Sequence, residues 1–441
     1  MSGIALWIFL CAAAFIWLAW LLRRDRLSLG LPIAYMIMLL LIHLPGAFTP
    51  LLSDQFGYHA DAIEIGIRFT AIGCLCFVGG VYAAHFLCSK RHPIYIYVDR
   101  RKFWYFCLAG GLFIQFALTF LGDLPSVRSA LERGSLLWTL GPLLGLRFAL
   151  SQGNLTGMAS WSAAALISPI FILLGGFLGY GSVAIIIVVS ALVVSVRSRL
   201  KLITVGTLIV YLGLSIFVNY FAHRKEFREI AWSAASTGER VSAAVAMFSD
   251  FQWFDPTDVT QLSALDIRLN QNYFVGLAAE RIQQDQVTYL YGRSLWEGII
   301  ALVPRALWPD KPVFGGSGTI VVDMTGLNLD QKNTSWGVGN VMEFQVNFGT
   351  PGVVIGFLIL GFLLGWLDYK AAAADARGDT GKLILFFLLG VALTQPGASI
   401  VEMSGGAAAA GVAAYIWKWL WQFWLQRSNR RDVGREFAAL R

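Results

Sequence analysis

The chain has few charged side chains. Only 14% of its 441 residues are Asp, Glu, Lys or Arg, whereas roughly 25% are charged in a typical soluble globular protein. Hydrophobic residues make up 57% of the chain, and its mean hydropathy is +0.63. The apolar residues come in blocks close to the ~20 residues that a helix needs to cross the hydrocarbon core of a bilayer. The composition excludes a soluble globular protein and indicates an all-α, polytopic membrane protein.

Cysteine and histidine are scarce as well. The five cysteines (Cys11, Cys74, Cys76, Cys88 and Cys107) lie in or beside the early apolar blocks, so we expect neither a disulfide framework nor a cysteine-based metal site. The histidines are scattered, and no group of His and carboxylates has metal-ligand spacing. The glycine patterns of phosphate-binding loops are missing too. We therefore expect no metal, no nucleotide and no other cofactor.

Eleven apolar blocks, within a range of ten to twelve, are assigned as membrane spans. The fifth block is short and contains Arg147, so a re-entrant or interfacial piece is an open alternative there. The blocks lie near 3–22, 30–50, 65–88, 102–121, 136–150, 158–178, 182–196, 202–221, 350–368, 382–397 and 404–425.

Positively charged residues determine the expected topology. They cluster after the first, third and seventh spans and after the last one, and the positive-inside rule makes these segments cytoplasmic. The N-terminus is then external and the C-terminus cytoplasmic. The chain divides into N-terminal membrane helices (1–221), a large external loop (222–349), C-terminal membrane helices (350–425) and a basic tail (426–441). The loop is net negative although the chain carries +7, so the basic pI reflects topology and gives no sign of nucleic-acid binding.

The external loop has the composition of a folded unit, since it is rich in aliphatic and aromatic residues. Apolar residues recur at helical spacing in 241–251 and in 272–282, which predicts amphipathic helices on the membrane face. The pattern Ser294–Glu297 is that of a capping box and predicts a helix that ends before Pro304. Thr350-Pro351 predicts the start of the span that follows the loop.

Two groups of polar residues in or beside this loop are candidates for a functional site. Asn340, Glu343 and Asn347 share one helix face, where Glu343 is either a general base or part of a solvated surface. Arg224 and Arg228 lie four apart at the external end of the eighth span. They either bind a pyrophosphate bidentately or extend to lipid headgroups.

A third candidate is the segment that contains Trp308, Asp310 and Lys311 among prolines, followed by the glycine-rich residues 315–318. It is either a positioned loop that borders a cleft, or an interfacial tryptophan beside ordinary turns.

Two stretches of the loop resemble one protein family. They are GRSLWEGIIALVPRALWPDKP (292–312) and VMEFQVNFGTPGVVIG (341–356), and they resemble the Wzy-type oligosaccharide repeat-unit polymerases of bacterial polysaccharide assembly. In that family a similar Pro-Arg-x-x-Trp-Pro-x-Lys-Pro stretch precedes a Glu-x-x-x-Asn-Phe-Gly stretch and the next span. The rest of the chain is similar only as a polytopic helical protein with one large external loop. One departure is Met342, where that family often has glycine.

The resemblance implies a metal-independent glycosyltransferase of GT-C-like architecture in the bacterial inner membrane. A growing glycan on undecaprenyl diphosphate is the implied donor, and a single lipid-linked repeat unit is the implied acceptor. The reaction takes place at the periplasmic membrane face. The further partners that we expect are membrane lipids, a chain-length regulator and other polysaccharide export proteins, and no nucleic acid.

The resemblance also implies residue roles. By motif position, Arg305 and Lys311 belong to the active site. Glu343 is the first candidate for the general base and Asp310 is the second. Positioned arginines can stabilise the charge that develops on a diphosphate leaving group, and an aromatic ring can stack on a sugar. The expected substrate contacts are therefore Arg224, Arg228, Arg268, Trp308, Lys311, Asn340 and Asn347.

Three alternatives stay open. An O-antigen ligase-like glycan transferase would use the same donor and typically depends on a loop histidine, for which His223 at the membrane edge is available. A transporter or flippase of lipid-linked glycans would carry charges along its spans, where this chain has few, mainly Arg68, Arg147 and Glu402. The third alternative is a scaffold role in an export complex.

Overall fold

The structure is a computed structural model, and it is all-helical in the residues that it describes. These residues are 2–25, 27–88, 100–118, 125–174, 178–196, 198–231, 236–247, 249, 251–303, 307–314, 316–329 and 336–439. The α-helices in these ranges are α1 (Ser2–Asp25), α2 (Leu31–Leu52), α3 (Ala60–Cys88), α4 (Arg101–Ala117), α5 (Pro125–Ser135), α6 (Leu140–Ser151), α7 (Leu155–Leu174), α8 (Leu178–Ser195), α9 (Arg199–Ala231), α10 (Thr237–Met247), α11 (Val259–Arg268), α12 (Gln271–Gln283), α13 (Arg293–Ala301), α14 (Ser317–Thr325), α15 (Gly339–Arg377), α16 (Thr380–Leu393) and α17 (Ile400–Ala439).

Six helices in the described ranges are long and apolar enough to cross a membrane, namely α1, α2, α3, α9, α15 and α17. The chain is therefore a membrane-embedded helical protein, but the predicted count of eleven spans is not reproduced. The other five apolar blocks coincide with α4, α6, α7, α8 and α16, which contain 12 to 20 residues. The length of an apolar block overestimates the length of the helix where the helix ends before the block does. For example, α16 ends at Leu393 because Pro396 disfavours helical geometry just before it.

The short fifth block is extended by the helix before it. A 3-10 turn, Leu136–Thr139, connects α5 to α6, so that helical structure runs from 125 to 151. The indole Nε1 of Trp417 on α17 donates a hydrogen bond to the carbonyl of Gly134 at 2.9 Å. Although α5 is polar, it therefore packs against α17 inside the bundle.

The core is built around α3 and α15, which run parallel to each other. Phe77 packs against Gly361, and one turn later Val81 packs against Gly365. At Gly361 an added Cβ would collide with the carbonyl oxygen of Phe77, so the two backbones are in contact. Small residues permit this close approach between membrane helices. The shared direction is the one that the predicted topology requires of the third and ninth spans.

Segments that the positive-inside rule places in the cytoplasm meet at one end of the bundle. The Nη2 atom of Arg23, in the last turn of α1, donates to the carbonyl of Val196, just after α8, at 2.7 Å. The Nη1 atom of Arg100 before α4 pairs with Asp375 Oδ1 near the end of α15, also at 2.7 Å. Both contacts therefore join chain segments that the predicted topology places on the same side of the membrane.

Buried charges stabilise the turn between α1 and α2 at this same end. Asp368 on α15 is fully buried, and its Oδ1 accepts hydrogen bonds from the N–H groups of Leu29 and Leu31 at 3.0 and 3.2 Å. Arg147 on α6 is buried as well, and its Nη1 donates to the carbonyl of Ser28 at 2.7 Å. Both charged groups bind the backbone of one turn, so they do not line an open path through the spans.

At the other end, helices of the segment 222–349, which the sequence predicts to be external, pack into the bundle. The helix predicted at 272–282 is confirmed as α12, and the helix predicted at 241–251 corresponds in part to α10, which ends at Met247. However, α12 packs against α3, where an added Cβ at Gly66 would collide with the backbone of Asn272 and one at Gly276 with the backbone of Ala62. The described part of the loop is therefore joined to the membrane helices by direct backbone contact.

The contact between α3 and α15 predicts opposite effects for two Gly→Ala substitutions. Gly361→Ala inserts a methyl group against the Phe77 carbonyl, and overpacking of this kind costs about 1–3 kcal/mol. Gly206→Ala on α9 has open space around its Cβ, so the better helix propensity of alanine stabilises the helix by about 1 kcal/mol. Thermal unfolding in detergent should show a lower Tm for the first variant only. Equal shifts for both variants would contradict the proposed close contact.

Candidate functional site

The two stretches that carry the family resemblance meet at the beginning of α17. We call residues 399–406 the α17 start. From the first stretch, Gly298 on α13 packs against Ile400, and the Ala301 carbonyl lies 4.0 Å from the Cβ position of Gly405. From the second stretch, Glu343 Oε2 accepts a hydrogen bond from the Ile400 N–H at 2.7 Å. Residues that lie 57 to about 100 positions earlier in the chain therefore surround one helix terminus.

Glu343 is fully buried, so the alternative that it belongs to a solvated surface is wrong. Its Oε1 is buried too and makes no hydrogen bond to any residue that the structure describes. The Ser294 hydroxyl lies beside the carboxylate, and the charges of Glu297 and Glu402 act on it. As folded here, Glu343 anchors α17, and a substrate hydroxyl reaches it only if neighbouring elements move.

Asn347 connects the same helix to the beginning of α13. Its Nδ2 donates to Ser294 Oγ at 2.8 Å and its Oδ1 accepts from the Gly292 N–H at 2.9 Å. The helix predicted after Ser294 is confirmed, but the predicted capping box is wrong. Gly292 is the N-cap residue, Ser294 bonds to Asn347, and Glu297 pairs with Arg293 at 3.1 Å. A side chain from α15 therefore takes the place of the local cap.

Asn340 connects the beginning of α15 to two other parts of the bundle. Its Oδ1 accepts a hydrogen bond from the Tyr35 hydroxyl on α2 at 2.8 Å. Its Nδ2 donates to the carbonyl of Ala398, just before α17, at 3.1 Å. Asn340, Glu343 and Asn347 do share one face, as the spacing predicts, and all three are buried.

A capping box that the sequence analysis missed lies at the α17 start. The Ser399 N–H donates to Glu402 Oε2 at 2.9 Å, and the Glu402 N–H donates to Ser399 Oγ at 3.2 Å. The hydroxyl of Ser317, the first residue of α14, also donates to Glu402 Oε2, at 3.0 Å. Glu402 is exposed, unlike Glu343. The pattern Ser-x-x-Glu before an apolar run was the signal that could have located this cap.

Arg133 on α5 is a second residue that the sequence analysis missed. Its guanidinium packs 3.0 Å from the Cβ position of Gly406, one turn after Glu402, and its Nη2 lies 3.5 Å from Gln395 Oε1. A side chain at position 406 would occupy this space. The small-residue run in α17 therefore makes room for a cation beside the exposed carboxylate.

The segment after α13 lies next to the α17 start. Lys311 Nζ donates to the carbonyls of Val303 and Ala301 at 2.8 and 3.4 Å, at the C-terminus of α13, where a positive charge is favourable. Trp308 is 41% exposed and Asp310 is exposed as well. Arg305 lies outside the described residues.

The three arginines predicted to bind diphosphate lie together. Arg224 and Arg228 belong to the last turns of α9, which extends to Ala231, and Arg268 is the last residue of α11. Burial lowers the pKa of the Arg268 guanidinium to about 10, and the positive charges of Arg224 and Arg228 contribute to this lowering. The Arg268 guanidinium also lies over the ring of Trp336 at 4.7 Å. We call these three arginines the arginine cluster.

One short segment connects the arginine cluster to the α17 start. It begins with Trp336, whose ring packs under the guanidinium of Arg268. Gly337 then packs against the carbonyl of Gly397, and the Asn340 N–H donates to the carbonyl of Pro396 at 2.8 Å. We call residues 336–343 the connecting segment. It places a group of cations and a group of carboxylates at the same end of the bundle.

An open cavity of about 440 Å³ lies between α12 and the end of α14. Polar side chains, among them Glu280, Arg281 and Gln284, form part of its lining together with the ring of Tyr273. The next residue, Phe274, packs edge-on against Trp336 at 5.6 Å. The cavity and the contact with Trp336 thus involve neighbouring residues at the beginning of α12.

A comparison with known families places the chain. A family described as a domain of unknown function, DUF8712, matches residues 59–389, about three quarters of the chain. The chain belongs to this family. The DUF8712 region contains the arginine cluster and both stretches with the family resemblance, and the α17 start follows it. No curated protein and no solved structure matches the chain significantly.

The arginine cluster predicts that the protein binds inorganic pyrophosphate. Each charge-assisted hydrogen bond to a phosphate contributes about 1.5–3 kcal/mol, so Arg268→Gln should weaken binding about 10- to 100-fold. The increase in Tm with pyrophosphate concentration measures this affinity. Arg377→Gln is the matched control, because Arg377 is exposed at the opposite end of α15. An equal loss of affinity in both variants would show that the anion binds elsewhere.

Proposed function

We propose that this protein is a polysaccharide polymerase that transfers a growing glycan from undecaprenyl diphosphate to a lipid-linked repeat unit. In this proposal it is a metal-independent glycosyltransferase of GT-C-like architecture in the bacterial inner membrane. Its external loop faces the periplasm and its C-terminus faces the cytoplasm. The additional short apolar helices complete the predicted set of about eleven spans.

The observation that carries this proposal is that one short segment joins a cluster of arginines to a pair of carboxylates. The connecting segment joins the arginine cluster to the α17 start, where both stretches with the family resemblance converge. Glycosyl transfer from a lipid diphosphate needs cations at the leaving group and a carboxylate near the acceptor hydroxyl. Both kinds of group lie at one end of a membrane bundle.

The arginine cluster suits a diphosphate in particular. Arginine binds phosphate oxygens bidentately and stays charged at neutral pH, which also holds for Arg268 with a pKa of about 10. In this proposal, a diphosphate bound at the ends of α9 and α11 lies at the boundary of the membrane, with its polyprenyl chain in the lipid. The polar cavity beside α12 offers space for sugars of the glycan.

Transport receives less support from the geometry, because the buried charges Arg147 and Asp368 bind the backbone of the turn between α1 and α2 instead of lining a path. A ligase would need His223 in catalysis. The Nδ1 of His223 is hydrogen-bonded to the Asn219 carbonyl of its own helix at 3.1 Å. This contact fixes the tautomer of the ring and is compatible with catalysis, so a ligase stays the second candidate function.

Polymerase activity is tested with the purified protein in nanodiscs and the undecaprenyl-diphosphate repeat unit of its host, without nucleotide or added metal. We expect a ladder of multimers on a gel. Arg268→Ala should slow its formation about 10- to 100-fold, because one charge-assisted contact to the leaving group is lost. Arg305→Ala should also abolish or slow the reaction if the motif position defines its role.

Arg377→Ala is the control and should leave the ladder unchanged. A folded wild-type protein that binds the lipid-linked substrate without forming multimers would refute the polymerase. Appearance of the lipid-linked unit on the opposite side of the bilayer would instead support transport.

A further inference from the structure

The proposed transfer needs a base that the acceptor hydroxyl can reach. Glu343, the first candidate, is fully buried and holds the N–H of Ile400. Asp310, the second candidate, is exposed in a segment where no hydrogen bond fixes its carboxylate among the described residues. A general base must be both accessible and held in a defined orientation. Neither candidate combines the two properties.

Glu402 combines them. Its Oε2 accepts hydrogen bonds from the Ser399 N–H and from the Ser317 hydroxyl, at 2.9 and 3.0 Å, so two donors from different elements orient the carboxylate. Its Oε1 takes no part in these contacts, and the side chain is exposed. One carboxylate oxygen is thus anchored while the other is available to a ligand.

The surroundings of Glu402 also suit this role. Lys311 and Trp308 lie in the segment that follows α13, and α13 packs along the α17 start. The guanidinium of Arg133 on α5 packs against Gly406, which is one turn after Glu402 on α17. The buried Glu343 Oε1, which has no hydrogen-bond partner among the described residues, adds a second carboxylate next to Glu402. Glu402 is therefore an exposed carboxylate at a helix start that α5, α13 and α14 all contact.

We propose that Glu402 is the general base of the transfer and that Glu343 is a positioning residue that fixes the α17 start. This inference rests on the proposed polymerase function. Glu402 Oε1 takes the proton of the acceptor hydroxyl while the hydroxyl oxygen forms a bond to the anomeric carbon of the donor. The bond between that carbon and the diphosphate oxygen breaks with its electron pair. Undecaprenyl diphosphate leaves as an anion at the arginine cluster, and the proton passes from Glu402 to water.

The decisive variant is Glu402→Gln in the polymerisation assay. Glutamine also serves in a capping box, so it preserves the cap at the α17 start and removes only the basic oxygen. We expect kcat to fall about 100-fold or more, as for the loss of a general base, while pyrophosphate affinity and Tm stay those of the wild type. Glu402→Ala should regain activity with added formate, a carboxylate small enough to enter the vacated space.

Positioning by Glu343 is tested by a conservative and a disruptive variant. Glu343→Gln keeps an oxygen acceptor for the Ile400 N–H and should retain most of the activity, whereas Glu343→Leu removes the acceptor and should lose it. Formate should rescue neither of these variants, because the site is buried. Asp323→Asn on α14 is the control for an exposed carboxylate, and it should behave as the wild type.

The possible outcomes separate this inference from the proposed function. A wild-type ladder that persists in Glu402→Gln but disappears in Glu343→Gln or Asp310→Asn would overturn the assignment of the base and keep the polymerase. A folded, substrate-binding wild type that makes no ladder would overturn both. A ladder that is lost in Glu402→Gln and restored by formate in Glu402→Ala would establish Glu402 as the base.

Discussion

The structure depends on two helix starts whose first N–H groups are bound by carboxylates of a third helix. The first N–H groups of a helix have no acceptor within the helix, and where water is excluded another part of the protein must supply one. At the start of α17 the acceptor is Glu343, which binds the Ile400 N–H. At the start of α2 it is Asp368, which binds the N–H groups of Leu29 and Leu31. Both carboxylates belong to α15, on either side of its break at Phe348 and Gly349, so one long helix fixes the starts of two others.

This arrangement explains why a long apolar helix contains fully buried acidic residues. An isolated charge in a membrane bundle is costly, but a carboxylate at a helix start gains charge-assisted hydrogen bonds and a favourable interaction with the helix dipole. The burial of Glu343 and of Asp368 on α15 is therefore explained by the helix start that each of them binds. Exposure is the better guide to chemistry here, and it distinguishes Glu402 from Glu343 although the two carboxylates are neighbours.

Local patterns were sufficient to predict individual elements. Helical spacing located α10 and α12, and Thr350-Pro351 marked a real boundary. There α15 is broken at Phe348 and Gly349, and Gly349 has φ +62°, a backbone conformation that favours glycine. The charge pattern also predicted that Arg23 and Arg100 belong to the same end of the bundle. These features depend on residues that are close in sequence or on the distribution of charge between the two sides of the membrane. Both can be read from a single sequence.

Contacts between distant segments could not be predicted in this way. Ser294 looks like a cap because its own sequence has the pattern of one, but Asn347 from another helix takes its hydroxyl. The pattern at Ser399–Glu402 is equally clear, yet it lies inside an apparent continuous span and was not recognised. Nothing local indicates that α13, α14 and α15 converge on that point. The proximity of Arg268 to Arg224 likewise follows from the packing of α11 against α9, which no spacing encodes.

The connecting segment has a mechanical consequence for the proposed reaction. Trp336 lies under Arg268, and a few residues later Asn340 is hydrogen-bonded on both sides of the turn that precedes α17. In the proposed reaction, we expect an anion that displaces this tryptophan to move the Pro396–Ala398 turn through these contacts. Because that turn leads directly into the capping box of Glu402, we expect binding at the arginine cluster to be coupled to the orientation of the exposed carboxylate.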